Sequence, residues 1–153
     1  MKTATSLRLG TSAFTAAGWA GSFYPSELKP AEYLSFYARH FDAVEVDSTF
    51  YRIPSASMVT NWYERTPKGF LFAAKVPLAI THEKVLYDSD SEMRTFLSTM
   101  ELLEEKLGPL LLQFPYFNKK AFPSVKDFLG RLKPFLAKLP KGQWFAVEAR
   151  NKN

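Results

Sequence analysis

Short apolar runs alternate along the chain with longer stretches in which apolar residues recur at helical spacing, and Gly, Pro or Ser separates one from the next. The runs that read as strands are Leu7–Ser12, Ala43–Thr49, Phe70–Pro77, Pro109–Phe114 and Trp144–Arg150. Between them, Tyr33, Leu34, Tyr37, Ala38 and Phe41 follow Pro30, and Met58, Val59, Trp62 and Tyr63 follow Ser55; both starts carry N-terminal helix signals. A third helical stretch repeats Met93, Phe96, Leu97, Met100 and Leu103 and stops near Gly108. The fourth repeats Val125, Phe128, Leu129, Leu132, Phe135, Leu136 and Leu139 behind Ser124, with a kink or break expected at Pro134. The connections after the first and third strands exceed the roughly 2–6 residues usual in such units, and long ordered loops tend to carry function.

Strand and helix thus alternate, which predicts a parallel α/β sheet with right-handed crossovers. A doubly wound sheet, covered by helices on both faces, needs strands that are apolar at both parities. These strands are one-sided: Val44 and Val46 oppose Glu45 and Asp47, Phe72, Ala74 and Val76 oppose Lys75, Leu110, Leu112 and Phe114 oppose Gln113, and Phe145 and Val147 oppose Glu148 and Arg150. One apolar face and one face gathering charge toward the strands' C-terminal ends is the pattern of a (β/α)-barrel, with helices outside and a site at the C-terminal mouth.

Composition narrows the functional classes. In 153 residues there is no cysteine, so disulfides and thiolate chemistry are excluded. Met1 to Gly10 lack the apolar stretch of a secretion signal, and no run approaches the roughly 20 apolar residues of a membrane span. A cytoplasmic protein is expected. The net charge of +5 arises beyond residue 117, where Lys119, Lys120, Lys126, Arg131, Lys133, Lys138 and Lys141 outnumber Asp127 and Glu148. Such a segment neutralises nucleic-acid phosphates or simply forms a solvated helix face.

The candidate chemistry follows from parity. Alternate residues of neighbouring barrel strands point into one lumen, which brings Glu45, Asp47, Lys75, Gln113, Glu148 and Arg150 together. Glu45 and Glu148, on non-adjacent strands, suit a general acid and general base working across a substrate, with Lys75 and Arg150 holding an anionic group or developing negative charge. The same set equally suits a neutralised ion-pair network. Glu45, Asp47 and Glu148 also offer oxygen ligands to a hard divalent cation, while two histidines, His40 and His82, are too few for a His-rich zinc site. His82, in the loop after the third strand, can act as acid, base or ligand. Ser48-Thr49-Phe50-Tyr51-Arg52 combines hydroxyls, rings and a guanidinium, so Thr49 and Tyr51 join the ligand-binding candidates, with Trp19, Phe23 and Tyr24 as a second wall. Thr11 and Ser12 add hydroxyls beside Gly10, although the P-loop spacing and lysine are absent, as are a Ser-His-Asp order and a dinucleotide fingerprint.

Several runs carry a resemblance. Gly10-Thr11-Ser12 with Trp19 and Phe23-Tyr24-Pro25, Phe41 through Tyr51, Phe72 through Pro77 with Ile80-Thr81-His82-Glu83, Leu107-Gly108-Pro109 through Gln113-Phe114-Pro115, and Ala146 through Arg150 occur in order. In these words the chain resembles the YecE-like family, domain of unknown function 72. The resemblance implies a TIM-barrel fold and no established activity. The family continues past the matching Arg with a His and a Ser-Trp pair, whereas Arg150 is followed by Asn151-Lys152-Asn153. A full barrel takes about 250 residues, so five of eight strands are expected here, with the first and fifth as edges and a complementing chain or self-association to cover them. Three readings stay open: an acid/base or metal-assisted hydrolase of a phosphate- or sugar-containing ligand, a non-catalytic binding module with nucleic acid among its candidate ligands, and an inactive barrel fragment.

Overall fold

The computed structural model describes residues 7–151. Five parallel strands, β1 (Gly10–Thr11), β2 (Ala43–Val46), β3 (Leu71–Lys75), β4 (Leu107–Gln113) and β5 (Phe145–Glu148), lie side by side in chain order, with β1 and β5 at the two ends of the sheet. The helices between them are α1 (Tyr33–Tyr37), α2 (Ser48–Tyr51), α3 (Ala56–Glu64), α4 (Asp90–Met100) and α5 (Val125–Ala137). Among the described residues no helix is long and apolar enough to cross a membrane.

Local chemistry accounts for the helix starts. The Ser55 hydroxyl accepts the Met58 amide at 3.2 Å and opens α3, while Ser124 and Asp127 form a reciprocal capping box at the start of α5. Val59 and Trp62 of α3, Met93, Phe96 and Met100 of α4, and Leu132 and Phe135 of α5 then recur at three- and four-residue spacing and are buried. They meet Val44, Val46, Phe72, Ala74, Leu110 and Leu112, the even-numbered strand positions, in one core. Register explains why these positions share a face: Val44 pairs with Phe72, Val46 with Ala74, Ala74 with Leu110, and Leu112 with Val147. The one-sidedness expected from the sequence is therefore real, and the odd-numbered positions Ala43, Glu45, Ala73, Lys75, Leu111 and Gln113 look the other way.

Some boundaries differ from the expectation. Only Gly10–Thr11 of the first run is strand; its pairing starts where the Leu9 carbonyl accepts the Asp42 and Ala43 amides, and Leu7 and Leu9 keep exposed side chains. Glycine is required at position 10, since a Cβ there would lie 2.0 Å from the Ala43 carbonyl oxygen. The second strand ends at Val46, because Ser48 and Thr49 turn directly into α2. The fourth begins two residues early, at Leu107, after a 3-10 stretch, Glu101–Lys106, that replaces the end of the third expected helix. Pro134 does not break α5: it lies in the last turn, where one backbone bond is lost, and buried Leu132 and Phe135 on either side hold the helix to the core.

Candidate functional site

Each charged residue of the lumen face comes from a strand end or the segment just beyond it. Lys75, the last residue of β3, places its Nζ 2.6 Å from Asp47 Oδ1 and 3.4 Å from Glu45 Oε1. Burial pulls the Lys75 ammonium down, but the hydrogen bond and charge of Asp47 and the charge of Glu45 outweigh it, and the group stands above the ordinary lysine value. Lys75 is thus a fixed cation, not an amine nucleophile. One register step further along the mouth, Gln113 pairs with Glu148; its amide donates to Glu148 Oε2 at 2.7 Å while Arg150 Nε donates to Oε1 at 2.9 Å. The Gln113 hydrogen bond first, and the Arg150 one second, hold the Glu148 carboxyl below the usual range, with Lys75 adding its charge. Glu148 is accordingly anionic at neutral pH.

These six residues, gathered by parity in the sequence, occupy one face as two linked groups, Glu45–Lys75–Asp47 and Gln113–Glu148–Arg150. Two carboxylates share one ammonium in the first, so the floor as a whole carries more negative than positive charge. Ser12 lies exposed at the rim of an open cleft of about 300 Å³ that Gly10, Ala43, Glu45 and Ala73 line.

Other candidates are placed elsewhere. The Thr49 side chain is completely buried and its hydroxyl donates to the Val46 and Lys75 carbonyls at 2.8 Å each, so it closes the turn from β2 into α2 and presents nothing to a ligand. Thr11 donates its hydroxyl to the Ala13 carbonyl and contacts the Tyr37 hydroxyl at 2.8 Å, and its amide donates to that same oxygen. The register sets Thr11 opposite Val44, with its hydroxyl turned to Tyr37, while the residue also borders the cleft beside Glu45. Trp19, Phe23 and Tyr24 form no second wall: Tyr24 stacks on Tyr33 at 4.0 Å and Phe23 meets Phe36, Tyr37 and Phe41, joining the first loop to α1. Among the described residues no three Asp, Glu or His side chains are grouped to hold a metal ion, and between Glu45 and Asp47 the Lys75 ammonium already occupies the place of a cation.

The loop after β3 is more ordered than a loop. Ala79–Glu83 forms a π-turn, and the residues after it hold left-handed backbone at Val85, Leu86 and Asp88. For a β-branched residue that conformation costs on the order of 1–3 kcal/mol, so the surrounding structure imposes it. Arg131 of α5 lies over the Tyr87 and Phe122 rings and donates to the Val85 carbonyl at 3.4 Å. The π-turn sets half-buried His82 against Phe50 of α2, ring centroids 5.0 Å apart and nearly perpendicular, with Nδ1 2.8 Å from the buried Thr81 hydroxyl. Burial first and the charge of Arg150 second lower the imidazole below its ordinary value. Tyr51 packs edge-on to Phe50 at 5.3 Å and is 75% exposed. The Thr81 hydroxyl is the part of this arrangement that the sequence reading missed; its adjacency to His82 was the only signal.

Away from the mouth, Lys138 of the basic segment pairs with Asp90 at 2.7 Å and Arg131 is held by two rings, while Lys119, Lys120, Lys126, Lys133 and Lys141 are exposed. The seam between α4 and α5, about 200 Å³ and lined by Met93, Leu97, Phe135 and Leu139, continues the core outward and gathers no unpaired group beyond Arg94.

Sequential parallel strands, helices packed on one face and charged residues collected at the strands' C-terminal ends define a segment of a (β/α)-barrel. The chain belongs to DUF72, described as a protein of unknown function, whose model matches residues 8–153. It is 36% identical over 100 residues to UPF0759 protein YecE of Escherichia coli, an alignment covering 65% of this chain and 37% of that protein. It is 34% identical over 106 residues to UPF0759 protein YunF of Bacillus subtilis, covering 64% and 38%. Two crystal structures of a DUF72 family protein from Enterococcus faecalis superpose with TM-scores of 0.59 and 0.63 at 27% and 29% identity, each over 94% of this chain. The chain spans about half the length of those solved relatives, 51% and 50%.

Proposed function

We propose that the mouth binds a hydroxyl-rich, sugar-containing ligand and hydrolyses an acetal bond within it. The observation that carries this reading is the commitment of Lys75 to Glu45 and Asp47, which leaves the floor with an excess of carboxylate oxygens and its central cation already neutralised. Such a floor repels a phosphate and accepts hydrogen bonds from hydroxyl groups, while the exposed Tyr51 ring, edge-on to Phe50, offers an apolar wall for a sugar face. Glu148, held anionic, stabilises the positive charge that develops at an acetal carbon when its bond to oxygen breaks. Glu45 is the second carboxylate, positioned by Lys75 to receive hydroxyls.

The test is release of p-nitrophenolate from a panel of p-nitrophenyl glycosides, with p-nitrophenyl phosphate alongside. Turnover of a glycoside that drops by at least 10²-fold in Glu148→Gln, with the unfolding midpoint retained, supports the reading. Turnover of the phosphate ester alone, or of nothing on the panel, refutes it.

A further inference from the structure

Resting on that reading, we infer that His82 is the general base of the site, taking a proton at Nε2 from the water that attacks the acetal carbon. The proton-transfer role is thereby moved from the Glu45–Glu148 pair to a ring on the β3 loop. Three features of the structure support the assignment.

The first is orientation. Nδ1 meets the Thr81 hydroxyl at 2.8 Å, and that hydroxyl, fully buried, faces the Pro77 carbonyl at 3.5 Å, to which it donates. With the hydroxyl hydrogen directed to that carbonyl, the imidazole donates from Nδ1 and keeps its lone pair on Nε2, the tautomer that the assignment requires. Nε2 has no hydrogen-bond partner among the described residues. The second is rigidity. The π-turn, the left-handed residues behind it and the perpendicular Phe50 ring fix the imidazole where a freely rotating surface histidine would not be held. His40 differs in place: it lies past the end of α1 and before β2, exposed, with Nδ1 against the Phe36 carbonyl at 3.0 Å and its ring against Phe23 and Phe36.

The third is electrostatic company. From α2 the ring meets Phe50, and from the segment after β5 it feels the Arg150 cation, whose own partner is Glu148. On its own turn Glu83 is exposed and Lys84 is bound to Glu92 at 2.5 Å. Among the described residues no carboxylate is hydrogen-bonded or ion-paired to the ring, and burial and Arg150 both favour the neutral base. The water oxygen bonds to the acetal carbon as one of its protons passes to Nε2. The bond from that carbon to the leaving oxygen breaks with its electron pair, p-nitrophenolate departs as an anion, and the imidazolium returns its proton to solvent.

The experiment uses the glycoside that the wild-type chain turns over, with His82→Gln, Thr81→Val and, as a control, His40→Gln. Loss of a general base lowers kcat by roughly 10²–10⁴-fold, with KM changed less than about threefold. In the wild type kcat/KM rises with pH through a limb below the ordinary imidazole value; His82→Gln abolishes that limb, and His40→Gln leaves it in place. Ring ¹⁵N spectra of the wild type are expected to show His82 protonated at Nδ1, a result independent of how any variant folds. A His82→Gln variant that keeps the limb and its kcat, or a ring protonated at Nε2, overturns the assignment while the glycoside reading stands. Wild-type protein inactive on every glycoside overturns both.

Discussion

The two faces of the sheet obey different rules although they are built from alternate residues of the same strands. On the helix side, Phe72, Ala74, Leu110 and Leu112 are all fully buried, and a buried lysine, Lys106, gives its ammonium to the Tyr63 and Thr66 carbonyls at 2.6 and 2.7 Å. On the lumen side, Lys75 faces carboxylates, and its neighbours are half-exposed. One lysine completes the C-terminal end of α3 and so belongs to stability; the other sits among acids that serve no helix. The difference shows where the fold spends its apolar residues and where it leaves polar groups available.

Truncations that cross this divide should separate the faces most. Phe72→Ala, which removes a fully buried ring stacked against Trp62, is expected to cost about 3–5 kcal/mol in a denaturant titration. Leu111→Ala, the neighbouring lumen-face position on β4, should cost less than half of that. Equal losses would mean that the lumen is packed like the core.

Alkaline pH sharpens the contrast further. Burial first, and the neighbouring Tyr37 and Tyr33 after it, push the Tyr24 hydroxyl up to about 12, and it donates to the Phe14 carbonyl. Because the folded value is raised above the unfolded one near 10, the unfolded chain ionises first. Stability is therefore intact below pH 10 and is lost as pH rises toward 12, by on the order of 2 kcal/mol. Tyr24→Phe should remove that component of the pH dependence, read as the difference between the two unfolding curves.

Next in size is the pair of lysines. Lys106→Met leaves buried carbonyls unsatisfied and should cost about 1–3 kcal/mol, whereas Lys75→Met should change stability by less than about 1 kcal/mol yet raise the Glu148 pKa, followed by carboxyl ¹³C shifts. The smallest effect is expected from Gln113→Ala, which leaves the melting transition in place and moves the Glu148 titration upward by removing its largest stabilising hydrogen bond.

How much of this was legible in the sequence depends on the kind of information each residue carries. The period of two in Val44-Glu45-Val46-Asp47 reports facing directly, so the barrel-type sheet and the gathering of Glu45, Lys75, Gln113 and Glu148 could be read from spacing alone. Thr49 and Thr11 could not be placed that way. A threonine hydroxyl is equally suited to a ligand and to a backbone carbonyl, and the choice depends on where β2 stops and on the offset of β1, both set by tertiary contacts. The π-turn at Ala79–Glu83 has no periodic signature, and the role of Thr81 behind His82 emerges only once that turn is formed. Likewise Trp19, Phe23 and Tyr24 look like a binding wall in one dimension and prove to be the packing of the first loop on α1. At β5, Trp144 and Val147 stay 70% and 44% exposed although Val147 shares its register row with buried Leu112, a difference visible only in three dimensions.

The most direct test of the central claim, that the lumen face is reserved for a hydroxyl-rich ligand, is backbone amide chemical-shift mapping with methyl glycosides as probes. Saturable shifts concentrated at Glu45, Lys75, Gln113, Glu148, Tyr51 and His82 are expected. Shifts confined to the α4–α5 seam or to the lysines of α5, or no saturable shift with any glycoside, would contradict it.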